Sequence, residues 1–312
     1  MEKFFKTLRV VLYSAPGRGA VSSALLFTSF LAMFSSVPPL SAYVSESRTK
    51  GFLAIAFGAL FSFLLGGMWA CLLYSVVVAS AALVMGELIK SGKSFGVVIF
   101  ASSISLIILY AAALFIYTGL HSTGVMDFLI RTVNTSIDIV SKSYPKILEQ
   151  QLAQTGMSKK EFVTATAIQL PSIAGVAILI FVFVNVLMSA KSVTSISKFL
   201  KTENLRKTKL PEALVWFAIS VGAFYLYSQS EYNKLIGVQS LGLFLFRTLA
   251  VVYFLQGMLI VRLLFESWLG EGLLSVLIFS LLVVFAYMFV VAIGFFDIWF
   301  NFRKYIKKGE QL

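Results

Sequence analysis

From Gly51 to Gly86 the chain carries no charged residue. As one straight α-helix that stretch would run about 54 Å at 1.5 Å per residue, against about 30 Å of bilayer hydrocarbon. It therefore has to break, and Leu65-Gly66-Gly67-Met68-Trp69 is where it can. Paired glycines permit a tight turn, and an indole beside them suits a membrane interface. The segment reads as two short spans, with a re-entrant hairpin as the alternative.

The rest of the chain follows the same pattern. Apolar runs fall at about 19–44, 51–66, 68–86, 96–119, 166–190, 211–229, 236–265 and 273–296. All but the second reach the roughly 17–25 residues that cross a bilayer. A chain that is 59% hydrophobic and 13% charged would leave large apolar areas in water, so lipid has to cover them. The expected fold is all-α: one polytopic transmembrane helical bundle over 1–312, with about eight spans.

The segment 121–164 differs from the runs around it. Val125, Phe128, Leu129, Val133, Ile137 and Val140 recur at steps of three and four among charged residues, which predicts an amphipathic helix lying on the membrane. Pro145 ends or kinks it, Thr155-Gly156 is a stop, and Ser158 with Glu161 forms a capping box for the next helix. Pro171 falls near the start of the fifth run and kinks it unless it lies in the first turn.

The net charge of +12 gathers at the ends of apolar runs, as in Lys3, Lys6, Arg9 and Arg18, then Arg303, Lys304, Lys307 and Lys308. That is a positive-inside pattern and not a nucleic-acid surface, because no basic patch interleaves with stacking aromatics outside the runs. The expected setting is a bacterial inner membrane, multi-pass, with both termini and the 121–164 segment cytoplasmic. The Lys191–Lys209 linker then faces outward. Gly19 to Val44 reads as an uncleaved signal anchor.

Chemistry-bearing residues are few. One cysteine, Cys71, and one histidine, His121, give no cysteine cluster and no His-rich metal site. No GxxxxGK[ST] loop and no GxSxG elbow occurs, so neither an enzyme nor a cofactor is expected. Arg247 is the most informative residue, more than ten residues into its run. An arginine at depth costs at least roughly 2.5–3.5 kcal/mol, so it marks a site for an anionic solute, pairs with Asp297, or snorkels to the interface. Gln256-Gly257 offers a buried amide beside a close-approach glycine, read either as a ligand contact or as helix packing. Asn185, Gln169, Ser102, Ser103 and Ser105 are read as packing residues, and Arg262 with Glu266 as an i,i+4 interfacial pair. Arg247, Gln256 and Asp297 are the candidate solute-binding residues.

From Leu210 onward the order Leu210-Pro211, Trp216, Gln256-Gly257 and Gly294-Phe295-Phe296-Asp297, with Trp299, Phe302 and Arg303, resembles the YybS-like family of bacterial membrane proteins. That family is similar to the substrate-binding subunits of energy-coupling-factor transporters. The resemblance implies a helical bundle with a solute pocket and an ATPase-bearing partner. A non-transporting scaffold or envelope-assembly protein is the competing reading.

Overall fold

The computed structural model describes residues 14–28, 31–192, 210–230, 235–270 and 272–305. The expectations placed on the first thirteen residues, the 191–209 linker and Lys307–Lys308 therefore lie largely outside the described residues. The described residues form helices and no strand. They divide into two compact units, one built from 1–108, 178–210 and 256–312, the other from 109–177 and 211–255.

In the first unit, α1 (Ala15–Leu26) opens at Ser14, whose Oγ accepts from the Gly17 amide at 3.2 Å. A 3₁₀ turn (Leu31–Phe34) and α2 (Val37–Ser45) follow. Pro38 and Pro39 sit in the first turn of α2, where their missing N–H groups cost nothing, so they start a helix here. The run 19–44 is thus two short helices, not one span. Arg18, just before the run, pairs with Glu46, just after it, at 2.5 Å. Both ends of the run lie together, a geometry that no single crossing helix can give.

The chargeless stretch also folds back. Within α3 (Arg48–Leu73), Gly66 and Gly67 leave helical geometry, and Gly67 takes φ +70°, a left-handed conformation that side chains other than glycine's resist. A six-residue π-turn (Tyr74–Ala79) and α4 (Ser80–Lys90) complete the returning arm. Tyr74 lies against Gly58 although a straight helix would hold them about 24 Å apart. Its phenol hydroxyl shares a 2.9 Å hydrogen bond with Ser22, and Ser23 shares another of the same length with Ser62. At the open end of this hairpin Arg48 grips Glu87 with two bonds of 2.8 Å, while Tyr43 donates to the same carboxylate. Lys50 adds a bond to Glu46 at 2.7 Å. Exposed pairs of this kind contribute only about 0.2–1 kcal/mol each, so they define which helix ends share a side more than they hold the unit together. Also in this unit are the start of α5 (Phe95–Leu120), the end of α8 (Lys159–Ser192), the end of α10 (Ile236–Leu269), α11 (Leu273–Phe285) and α12 (Tyr287–Phe300). The last apolar run is not straight, since α11 and α12 meet at 95°.

The second unit contains α6 (Val125–Ser143), α7 (Pro145–Thr155) and α9 (Ala213–Ser228), with the remaining parts of α5, α8 and α10. Pro145 opens α7, and Gly156 closes it at φ +64°. The capping box is formed in both directions: Glu161 accepts from the Ser158 amide at 2.8 Å, and Ser158 Oγ accepts from the Glu161 amide at 3.3 Å. Protein covers the middle of the apolar face of α6, while Val140 at its end is exposed. Leu129, Val133 and Ile137 pack on Val163 and Ala167 of α8, and Lys159 reaches Asp138 at 2.5 Å. Periodicity reports that a face is apolar but not what covers it.

Contacts along this unit also give helix directions. Ser240 Oγ donates to the Ile168 carbonyl at 2.9 Å, and Gly175 lies against Phe244 and Thr248, so α8 and α10 run parallel. Between α9 and α10 the order reverses: Ser228 meets Gly242, and the Tyr225 ring stacks on Phe246 at 4.4 Å. A short α9, about 24 Å long, therefore returns the chain between two parallel helices.

Candidate functional site

Pro171 lies well inside α8 and has no N–H, so the carbonyl of Ala167, one turn earlier, loses its usual donor. Two polar side chains flank the proline. Ser172 Oγ donates to the Gln169 carbonyl at 2.8 Å and accepts from Arg247 Nη1 at 3.0 Å. Both terminal guanidinium nitrogens of Arg247 reach Gln169 Oε1 at 3.4 Å. Thr248 Oγ1 is buried beside Gly175 and has no hydrogen-bond partner.

Arg247 is thus held by an amide oxygen and a hydroxyl, both neutral. Among the described residues no carboxylate lies within ion-pair range of it. Two of its three hydrogen bonds are long, and a planar fork with five N–H donors has capacity left over. The side chain reaches across to a level on α8 just past Val163 and Ala167, where charged α6 packs.

Gln256 and Asp297 lie in the other unit from Arg247. Gln256 Nε2 donates to Asp297 Oδ2 at 3.2 Å, with both residues at least nine-tenths buried. Beside them α10 and α12 touch backbone to backbone, because a Cβ on Gly257 would stand 1.8 Å from the Val290 carbonyl oxygen and 3.0 Å from the Gly294 nitrogen. The close approach expected of Gly257 is present. Asp297, a candidate solute-binding residue, is a buried acceptor for the Gln256 amide. Asn185 also serves packing, since its Nδ2 donates to the Met33 and Phe181 carbonyls at 2.7 Å. Arg262 is exposed, and its expected partner Glu266 has a side chain outside the described ones.

Sequence reasoning missed Ser172, Ser240 and Thr248. A weak signal was available, in that Gln169 and Ser172 bracket a proline inside an apolar run.

Leu120, Trp69 and Trp216 turn more than 70% of their surface outward, and four helices are apolar and long enough to cross a membrane. They are Arg48–Lys90, Phe95–Leu120, Lys159–Ser189 and Ile236–Phe265, with the bent pair 274–300 as a fifth if it counts as one span. These features define an all-helical integral membrane protein. Residues 23–298 match the family described as "Predicted membrane protein (DUF2232)", and the chain belongs to that family. No curated protein and no solved structure matches it.

Proposed function

We propose that this protein binds a small anionic solute in the membrane and helps to move it, with Arg247 as the recognition group. The observation that carries the reading is a guanidinium held, among the described residues, by the neutral groups of Gln169 and Ser172. A cation in an apolar helix is costly unless an anion compensates it, and among the described residues none lies within reach. The YybS-like resemblance supports a solute-binding bundle in a bacterial inner membrane, served by an ATPase-bearing partner. No catalytic step is part of this reading.

Orientation is part of the proposal. The Arg18–Glu46 and Arg48–Glu87 pairs return residues 18, 46–50 and 87–90 to one side, so neither 19–44 nor 48–90 changes the side of the chain. With α5, α8, α9 and α10 each crossing once, that side collects the 191–209 linker as well, and with it most of the loop lysines and arginines. We assign it to the cytoplasm. This replaces a count of eight separate spans and moves 121–164 to the outer face. A re-entrant α11–α12 pair returns the carboxy terminus to the cytoplasm, which keeps both termini there.

Thermal-shift screening of the purified protein against anionic metabolites and vitamins tests the reading. A stabilising anion should lose about tenfold or more in affinity in Arg247→Gln, which corresponds to about 1.4 kcal/mol. Lysine at 247 should restore part of it, since it keeps the charge without the fork. No stabilising anion, or equal binding by Arg247→Gln, overturns it. The scaffold reading has its own support in the Gln256–Asp297 bond and the Gly257 contact, which hold helices together.

A further inference from the structure

Outward-facing serines on these helices commonly return their proton to the carbonyl one turn earlier, as Ser75 and Ser280 do at 2.8 Å. That is the expected behaviour where lipid offers no partner. In the first unit a small group behaves otherwise. Ser35, Asn185 and Ser189 are all 0% exposed. Ser35 Oγ, Asn185 Oδ1 and Ser189 Oγ have no hydrogen-bond partner.

Their placement brings them together. Asn185 and Ser189 are four residues apart on α8, so they share a face. Asn185 Nδ2 holds the Met33 carbonyl at 2.7 Å, which fixes the interrupted stretch 31–36 against that face. Ser35 lies in this stretch, and its own carbonyl accepts from Ser22 Oγ at 2.6 Å. Asn185 Oδ1 and Ser189 Oγ therefore lie on one face of α8, and Ser35 belongs to the broken stretch that Asn185 ties to that face.

The chemistry of the set narrows what it can hold. With its amide hydrogens spent on Met33 and Phe181, Asn185 presents an oxygen that can only accept. A buried acceptor left unmet costs about 1–3 kcal/mol. An anion would be repelled by that oxygen. A divalent cation favours carboxylate ligands, and the set contains none. Neutral hydroxyl, amide and carbonyl oxygens at an unwound helix are the ligands that coordinate Na⁺ at membrane depth.

We propose that Asn185 Oδ1, Ser189 Oγ and Ser35 Oγ bind a monovalent alkali cation, Na⁺ or K⁺. This inference is independent of Arg247.

The test is the unfolding midpoint of the full chain in detergent, measured in NaCl, KCl or choline chloride at constant ionic strength. The wild type should be stabilised by Na⁺ or K⁺ over choline, with a rise that saturates. Ser189→Ala and Ser35→Ala should lose most of that rise. In choline chloride both variants should unfold no lower than the wild type, because each removes a hydroxyl that bonds to nothing. Equal midpoints of the wild type in all three salts overturn the proposal. So does a full cation response in both variants. Lower midpoints of both variants in choline with an unchanged salt response would indicate a held water in place of the cation, and that result overturns it as well.

Discussion

Gly257→Ala removes no interaction and adds one methyl group, which isolates the α10–α12 contact. The new Cβ would stand 1.8 Å from the Val290 carbonyl oxygen, whereas an ordinary contact begins at 3.4 Å. The neighbour is backbone, so no side chain can swing aside, and α12 has to retreat by about 1.6 Å. That retreat takes the 3.2 Å Gln256–Asp297 hydrogen bond out of range and leaves the buried Gln256 amide without that acceptor. Overpacking costs about 1–3 kcal/mol and an unmet buried polar group about 1–3 kcal/mol. We expect a loss of about 2–6 kcal/mol, a large share of the 5–15 kcal/mol typical of a folded domain. Reversible unfolding in mixed micelles with increasing SDS fraction measures it. Gln256→Met is the control: it removes the same hydrogen bond without the clash and should cost distinctly less than Gly257→Ala. A Gly257→Ala protein within about 1 kcal/mol of the wild type would refute the backbone contact, since no rotamer change can relieve it.

Two further outcomes follow from the packing of the first unit and from the orientation. Tyr74→Phe removes the hydroxyl that Ser22 shares at 2.9 Å; because Ser22 still donates to the Ser35 carbonyl, the loss should be about 1 kcal/mol in the same unfolding assay, and a loss above about 3 kcal/mol would mean the hairpin depends on that bond. Reporter domains inserted after Gly156 and after Lys201 should report the outer face and the cytoplasm respectively; the reverse pair would restore the eight-span orientation and overturn the assignment of the basic side to the cytoplasm, and both on one side would overturn α8 as a crossing helix.

Local features were legible in the chain. The break at Gly66-Gly67, the stop at Gly156, the Ser158–Glu161 capping box and the interruption at Pro145 all depend on residues within a few positions of one another. Legibility failed where an answer depended on a distant partner. Hydropathy gave 19–44 the length of a span, but it carries no information about Arg18 meeting Glu46. The α6 stripe predicted an apolar face, and α8 covers its buried middle at Leu129, Val133 and Ile137. Arg247 stood out as a charge inside an apolar run, yet its partners lie 75 and 78 residues away on α8. Gln256 and Asp297, 41 residues apart, drew attention for their polarity and proved to be partners of each other.

The sequence by itself determined the solvent. So much apolar surface with so few charges can only be covered by lipid, and in lipid the backbone has to bond within helices. It also determined several helix ends, since caps, prolines and paired glycines act over a single turn. Only the tertiary structure decided which ends share a side, what covers the α6 face and what neutral company Arg247 keeps. Hydropathy and capping are properties of neighbours along the chain, whereas sidedness and ligand geometry come from contacts between segments far apart in it.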